Sequence, residues 1–97
     1  MASEPPFDWD RANITHIARH GVTPEEAEKA LSNEPFDLDY EVVNGEERWI
    51  SLGHTDALRV LLVVWTIRLE ETVRVVTARE ATKSERTAYL KGKGIKL

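Results

Sequence analysis

The chain has 97 residues, enough for one domain that buries roughly two-thirds of its unfolded surface. It has no cysteine, which excludes a disulfide framework and a thiolate metal site, and no apolar run near the roughly 18 residues that span a bilayer. The net charge of −4 hides an asymmetry: residues 1–47 carry twelve Asp/Glu against three Lys/Arg, and residues 48–97 carry five against ten. The split suits an anion-binding half and a partner-binding or solubilising half, and equally two acidic helices that come first by chance. The opening MASEPPF has neither the basic start nor the apolar core of a secretory signal, so a soluble, cytoplasmic protein with no membrane partner is expected.

Met1–Pro6 is expected to fray. In Phe7-Asp-Trp-Asp10, Asp8 or Asp10 is placed to cap a helix running to about His20, with Ile14, Ile17 and Ala18 as its buried stripe. Arg19 and His20 complement the helix end, and Gly21 stops it. Thr23-Pro24-Glu25-Glu26 restarts a helix with a Thr cap, Pro at the first position and Glu at the third; Ala27, Ala30 and Leu31 form its buried face, and Asn33–Pro35 ends it. The apolar period then becomes two. Strands are predicted over 36–43 and 47–54, joined by an Asn44-Gly45 hairpin turn. A short loop at 55–58 holds Asp56. RVLLVVWTIR, residues 59–68, is apolar on both faces and belongs in the middle of a sheet.

After a turn at 69–71 comes TVRVVTAREATKSERTAYL, residues 72–90. Val73, Val75 and Thr77 alternate with Thr72, Arg74 and Val76, a strand pattern over 72–79. Thr82 and Glu85 then fit a capping box that opens a helix to about Lys91. Arg79, Lys83 and Arg86 therefore lie within about two turns of one strand-to-helix corner. GKGIKL, residues 92–97, is a basic, glycine-broken tail. The expectation is one α+β domain over 1–97, flexible at 1–6 and 92–97: two N-terminal helices, a four-stranded antiparallel meander and a C-terminal helix, with the helices on one face.

The ordered landmarks resemble the BrnT family of bacterial toxins. They are Phe7-x-Trp9-Asp10, His20-Gly21-Val22 with Glu25-Glu26-Ala27, Gly45-Glu46-Glu47-Arg48-Trp49, the 59–66 strand, and Arg74-Val-Val-Thr-Ala-Arg79 followed by Ala81-Thr82, Glu85-Arg86 and Tyr89. The resemblance covers Phe7 to about Tyr89. It implies a RelE-like fold and a type II toxin–antitoxin ribonuclease that needs no metal or other cofactor and inhibits translation. It also implies a cognate antitoxin, a small BrnA-like DNA-binding protein that covers the active site, so that DNA is met only through the antitoxin. The chain departs from the family pattern in a first helix one residue shorter, in Asn13 where a Lys usually follows Trp-Asp, and in Arg19 as the one survivor of the basic pair before His-Gly.

Metal-independent RNA cleavage needs a base for the 2′-OH, an acid for the departing 5′-oxygen and cations for the phosphorane-like charge. Arg79 is the first candidate for the last role, because a guanidinium fork matches phosphate oxygens and a helix start beside it favours an anion. A solvated Arg79 paired with Glu80 or Glu85 is the alternative. Glu47 and Arg48 begin a strand and face opposite ways, so one of them could reach the Arg79 surface, Glu47 as a base or to orient an Arg, Arg48 as an RNA contact; an exposed hairpin pair is the alternative. Arg59 matches the family's strand-start Arg and is preferred over Arg68 as a second catalytic cation. Lys83, Arg86, Tyr89 and Trp9 complete the RNA-binding candidates; Tyr89 could stack on a base, act as an acid or pack on the sheet with its hydroxyl at the rim, and Trp9 could stack on a base, though a Trp at a chain end more often plugs the core. Trp49 and Trp65 are expected in the core. His16 and His20 have a helical zinc spacing, but without a thiol or a further ligand no metal site is assigned. His20 is read as a helix-end residue and the natural titrating group near pH 7. The competing reading is a catalytically inactive protein of the same fold that acts as an interaction or co-repressor module.

Overall fold

The computed structural model describes residues 6–92. Helix α1 spans Arg11–Ala18 and α2 spans Pro24–Ser32. Strands β1 Phe36–Val43, β2 Glu46–His54, β3 Val60–Arg68 and β4 Thr72–Glu80 follow, and α3 Lys83–Gly92 closes the described chain. The four strands pair antiparallel in sequence order, β1-β2-β3-β4, the meander that short connections favour. Of the ends expected to fray, Pro6 and Gly92 are ordered: the Pro6 carbonyl accepts from Val73 N–H at 2.9 Å, and Gly92 ends α3. The rest of both stretches lies outside the described residues.

Local signals set these boundaries. Asp10, not Asp8, caps α1; it accepts from Asn13 N–H while the Asn13 side chain accepts from Asp10 N–H. Thr23 and Glu26 close the capping box of α2, with Pro24 at the first turn. Asn44 and Gly45 both take positive φ, 52° and 80°, the two-residue turn whose twist matches the flanking strands.

The expected one-sided cover is wrong. Alternation along β3 sends Leu61, Val63 and Trp65 to one face and Val60, Leu62 and Val64 to the other. The first set packs with Ile17, Val22, Ala27 and Ala30 under α1 and α2, and the second with Leu52 and Tyr89 under α3. Both faces are covered because β3 is apolar on both, and burying each set stabilises the fold at roughly 25 cal/mol per Å² of apolar surface.

Two expectations about stripes also change. In α1 the buried residues are Asn13 and Ile17, whereas Ile14 is 38% exposed and Ala18 faces solvent. Asn13 is tolerated inside because its amide donates to the Val75 carbonyl. In β4 the alternation breaks: Val64 pairs with Thr77 but Trp65 pairs with Val75, leaving Val76 as a bulge. Val73, Val75 and Ala78 are buried, and Thr77 is not in that set. The bulge turns Arg79 away from the α1/α2 face and towards α3.

Candidate functional site

Arg79 lies opposite Leu62, on the face that α3 covers. Ala81 N–H donates to the Val60 carbonyl, and Thr82 then opens α3: its hydroxyl accepts from Glu85 N–H, and the Glu85 carboxylate accepts from Thr82 N–H at 2.9 Å. The same carboxylate takes both ends of the Arg79 fork, Nη1 at 2.8 Å and Nη2 at 2.9 Å. The Arg79 hydrogen bonds, joined by those from Thr82, hold Glu85 down at about 2 against the opposing effect of burial. Arg79 is raised in turn, chiefly by its hydrogen bond to Glu85. The pairing of Arg79 with Glu85 is thus formed, and its Nη1 also donates to the Glu80 carbonyl. The net positive charge of the corner comes from Lys83 and Arg86, both exposed and without a side-chain partner among the described residues.

Tyr89 is 2% exposed, packed on Leu52, Val60 and Leu62. A ring so enclosed cannot stack on a base. Its hydroxyl shares a 2.6 Å hydrogen bond with His54 Nδ1, and burial, then the nearby Glu34 charge, raises its pKa. His54 ends β2 on the α3 face, opposite Val60. Two residues along the strands and two strands across, it sits roughly 12 Å from Arg79 by backbone spacing. The sequence reading missed His54 as a partner of this corner. The available signal was the strand register: the ends of β2 and β4 are placed at the same end of the sheet only once β3 is known to run between them.

The other candidates lie elsewhere. Glu47 and Arg48 start β2, at the far end of the sheet from Arg79. Arg48 shares the α3 face but is roughly 16 Å away, and Glu47 is farther still and on the opposite face. The expectation that one of them reaches the Arg79 surface is therefore not met; residue count along β2 sets the distance. Arg48 Nε pairs with Glu46 at 2.9 Å, and Glu47 accepts from the Tyr40 hydroxyl at 2.6 Å. Arg59 is at the right end but follows the α1/α2 side. It donates to Glu26 at 3.0 Å and to the Gly21 carbonyl at 2.9 Å, and pairs with Glu80 at 3.4 Å. It ties the α1–α2 turn to the ends of β3 and β4 and does not share a surface with Arg79.

Trp9 packs half-buried on the α1/α2 core and donates to Glu28 at 2.7 Å, again away from the corner. Asn13, where the family pattern has a Lys, is buried against β4. His16 bonds Thr77 Oγ1 at 3.0 Å and stacks edge-on with His20 at 5.4 Å. His20, the expected titrating group, belongs with α1 and stands across the sheet from Arg79.

A family model described as the ribonuclease toxin BrnT of type II toxin–antitoxin systems matches residues 9–85. The matched span includes Arg79, Lys83 and Glu85 and stops one residue before Arg86. Comparison with curated proteins finds no match.

Proposed function

The chain belongs to the BrnT family of ribonuclease toxins of type II toxin–antitoxin systems, and from that premise we propose that it cleaves RNA at the α3 corner without a metal. Membership in a type II toxin family implies an antitoxin partner. In this reading the antitoxin is a BrnA-like DNA-binding protein that neutralises the toxin in the cytoplasm, and RNA cleavage inhibits translation.

The observation that supports the reading is that Arg79 and the start of α3, with Lys83 and Arg86, stand at the same end of one sheet face as the His54–Tyr89 pair. Lys83 and Arg86 hold the phosphate as unpaired cations, and Arg79, oriented by Glu85, adds charge beside them. An imidazole is the side chain suited to proton transfer at neutral pH, so His54 is the group to take the 2′-OH proton as that oxygen attacks phosphorus. The 5′-oxygen leaves with a proton supplied by an acid, and a 2′,3′-cyclic phosphate remains. Glu47 and Arg59 receive no step here, because neither shares the corner. The test is cleavage of a mixed-sequence RNA by the purified chain in a metal chelator. Lys83→Ala with Arg86→Ala should keep the fold and lose most of the cleavage.

One observation favours the second reading, an inactive interaction or co-repressor module. Both terminal nitrogens of the Arg79 fork are already taken by Glu85. An arginine so engaged offers phosphate a point charge and not a free fork. A chain that binds its antitoxin tightly, cleaves no RNA and does not arrest growth would establish this reading in place of the first.

A further inference from the structure

The half of the α1/α2 face that neither helix covers carries an aromatic row. Tyr40, Trp49 and Trp65 lie side by side across β1, β2 and β3, with ring centroids 5.6 Å apart for Tyr40–Trp49 and 5.0 Å for Trp49–Trp65. Val42, Glu47 and Ile67 form the next row outward. A cleft of about 500 Å³ opens there, lined by Glu46, Glu47, Trp49 and Ile67 among others. Tyr40, Val42 and Ile67 are 47%, 57% and 50% exposed, an apolar surface larger than scattered single residues would make.

The sheet edge beside it is also open. On β4 the outer edge is taken: Phe7 bridges Val73, and Asp8 N–H donates to the Val73 carbonyl. On β1 no backbone pairing lies outside the β1–β2 ladder among the described residues. The charged residues of β1 are Asp37, Asp39 and Glu41, all acidic; by register Asp37 and, on β2, Glu47 share the aromatic face, while Asp39, Glu41 and Glu46 line the opposite side of the same edge. Arg48 points to the other face and is tied to Glu46.

We propose that this open face and the β1 edge dock a basic polypeptide segment whose lysines or arginines alternate with apolar side chains. The proposal rests on the toxin–antitoxin reading for who supplies the segment: the antitoxin. The chemistry selects the occupant. Carboxylates along the rim repel RNA phosphates, and two copies of this acidic edge would repel one another. A segment added along β1 alternates its side chains between the two faces, so its apolar residues enter the cleft, its cations meet Asp39, Glu41 and Glu46 on the other side of the edge, and its backbone hydrogen-bonds along β1. The split noted in the sequence then has a spatial meaning: the acidic half presents the partner surface and the basic half presents the phosphate corner.

The test is a titration of the purified chain, followed by NMR of the Trp49 and Trp65 indoles and the β1 amides, with Trp9 as internal reference. The probes are a synthetic peptide of alternating Lys and Val, its Glu–Val counterpart and a single-stranded RNA oligonucleotide. The Lys–Val peptide should shift Trp49, Trp65 and β1, weaken at least tenfold on Asp39→Asn with Glu41→Gln, and lose binding on Val42→Lys with Ile67→Lys. The Glu–Val peptide should leave these signals unmoved. Equal binding of the Glu–Val peptide, shifts of the same signals by RNA, or a Lys–Val response that is absent or confined to other surfaces overturns the proposal. RNA cleavage is assayed separately, so its failure removes the nuclease reading and leaves the titration to stand or fall alone.

Discussion

Glu85 is the residue on which the corner depends, because one carboxylate does two tasks. It caps α3 and it fixes the Arg79 guanidinium. Its pKa is depressed from 4.5 to about 2, so its contribution to stability is fully present above about pH 4.5 and is lost as pH falls towards 2. Arg79 is 40% exposed, so solvent screening reduces the contribution to the order of 1 kcal/mol. Urea unfolding of wild type and Glu85→Gln should differ by that amount at neutral pH and converge near pH 2; a difference that persists in acid would show that the charge is not its origin. Asn13 gives a second test at this scale. It is buried, donates to Val75 and completes the α1 capping box, so Asn13→Ala should cost about 1–3 kcal/mol in a thermal or urea melt. Its position against the sheet also explains why a solvated lysine is no simple replacement there.

At the level of elements, what was legible in the sequence and what was not divide along a physical line. The helix starts at Thr23 and Thr82 and the turn at Asn44-Gly45 were readable, because each is a local backbone requirement met by neighbouring side chains. The double-faced apolar pattern of 60–65 placed β3 centrally, and it also implied cover on both faces, which the one-sided expectation overlooked. The Val76 bulge was not readable, since Val-Val-Thr-Ala has no residue that demands it. That single extra residue decides which face Arg79 occupies. The His54–Tyr89 contact, 35 positions apart, depends on register and helix direction together. Gly53 marks another contact invisible to periodicity: a Cβ there would collide with the Ala30 carbonyl of α2. Gly53→Ala should therefore destabilise by about 1–3 kcal/mol or more, read as a lower melting temperature, and an unchanged value would mean that α2 is not held so closely.

For the whole molecule, the proposed reading turns the charge split into two surfaces, the basic start of α3 and the acidic β1 edge across the sheet. In that reading Lys83 and Arg86 would bind phosphate, and the acidic β1 edge would repel nucleic acid. RNA binding should weaken with salt. Lys83→Ala with Arg86→Ala should flatten that dependence by a slope of roughly 1.4, about 0.7 for each single-strand phosphate no longer neutralised by a side chain. Equal slopes for the two proteins would move the phosphate site away from α3. The most direct measurement is cleavage of a mixed-sequence RNA in chelator by wild type, Lys83→Ala with Arg86→Ala, and His54→Gln, each checked for fold by circular dichroism. Chemistry at the α3 corner predicts cyclic-phosphate ends from the wild type and losses of tenfold or more in both variants with their folds intact. Cleavage at wild-type rate by both folded variants would contradict that assignment and place the chemistry away from the α3 face.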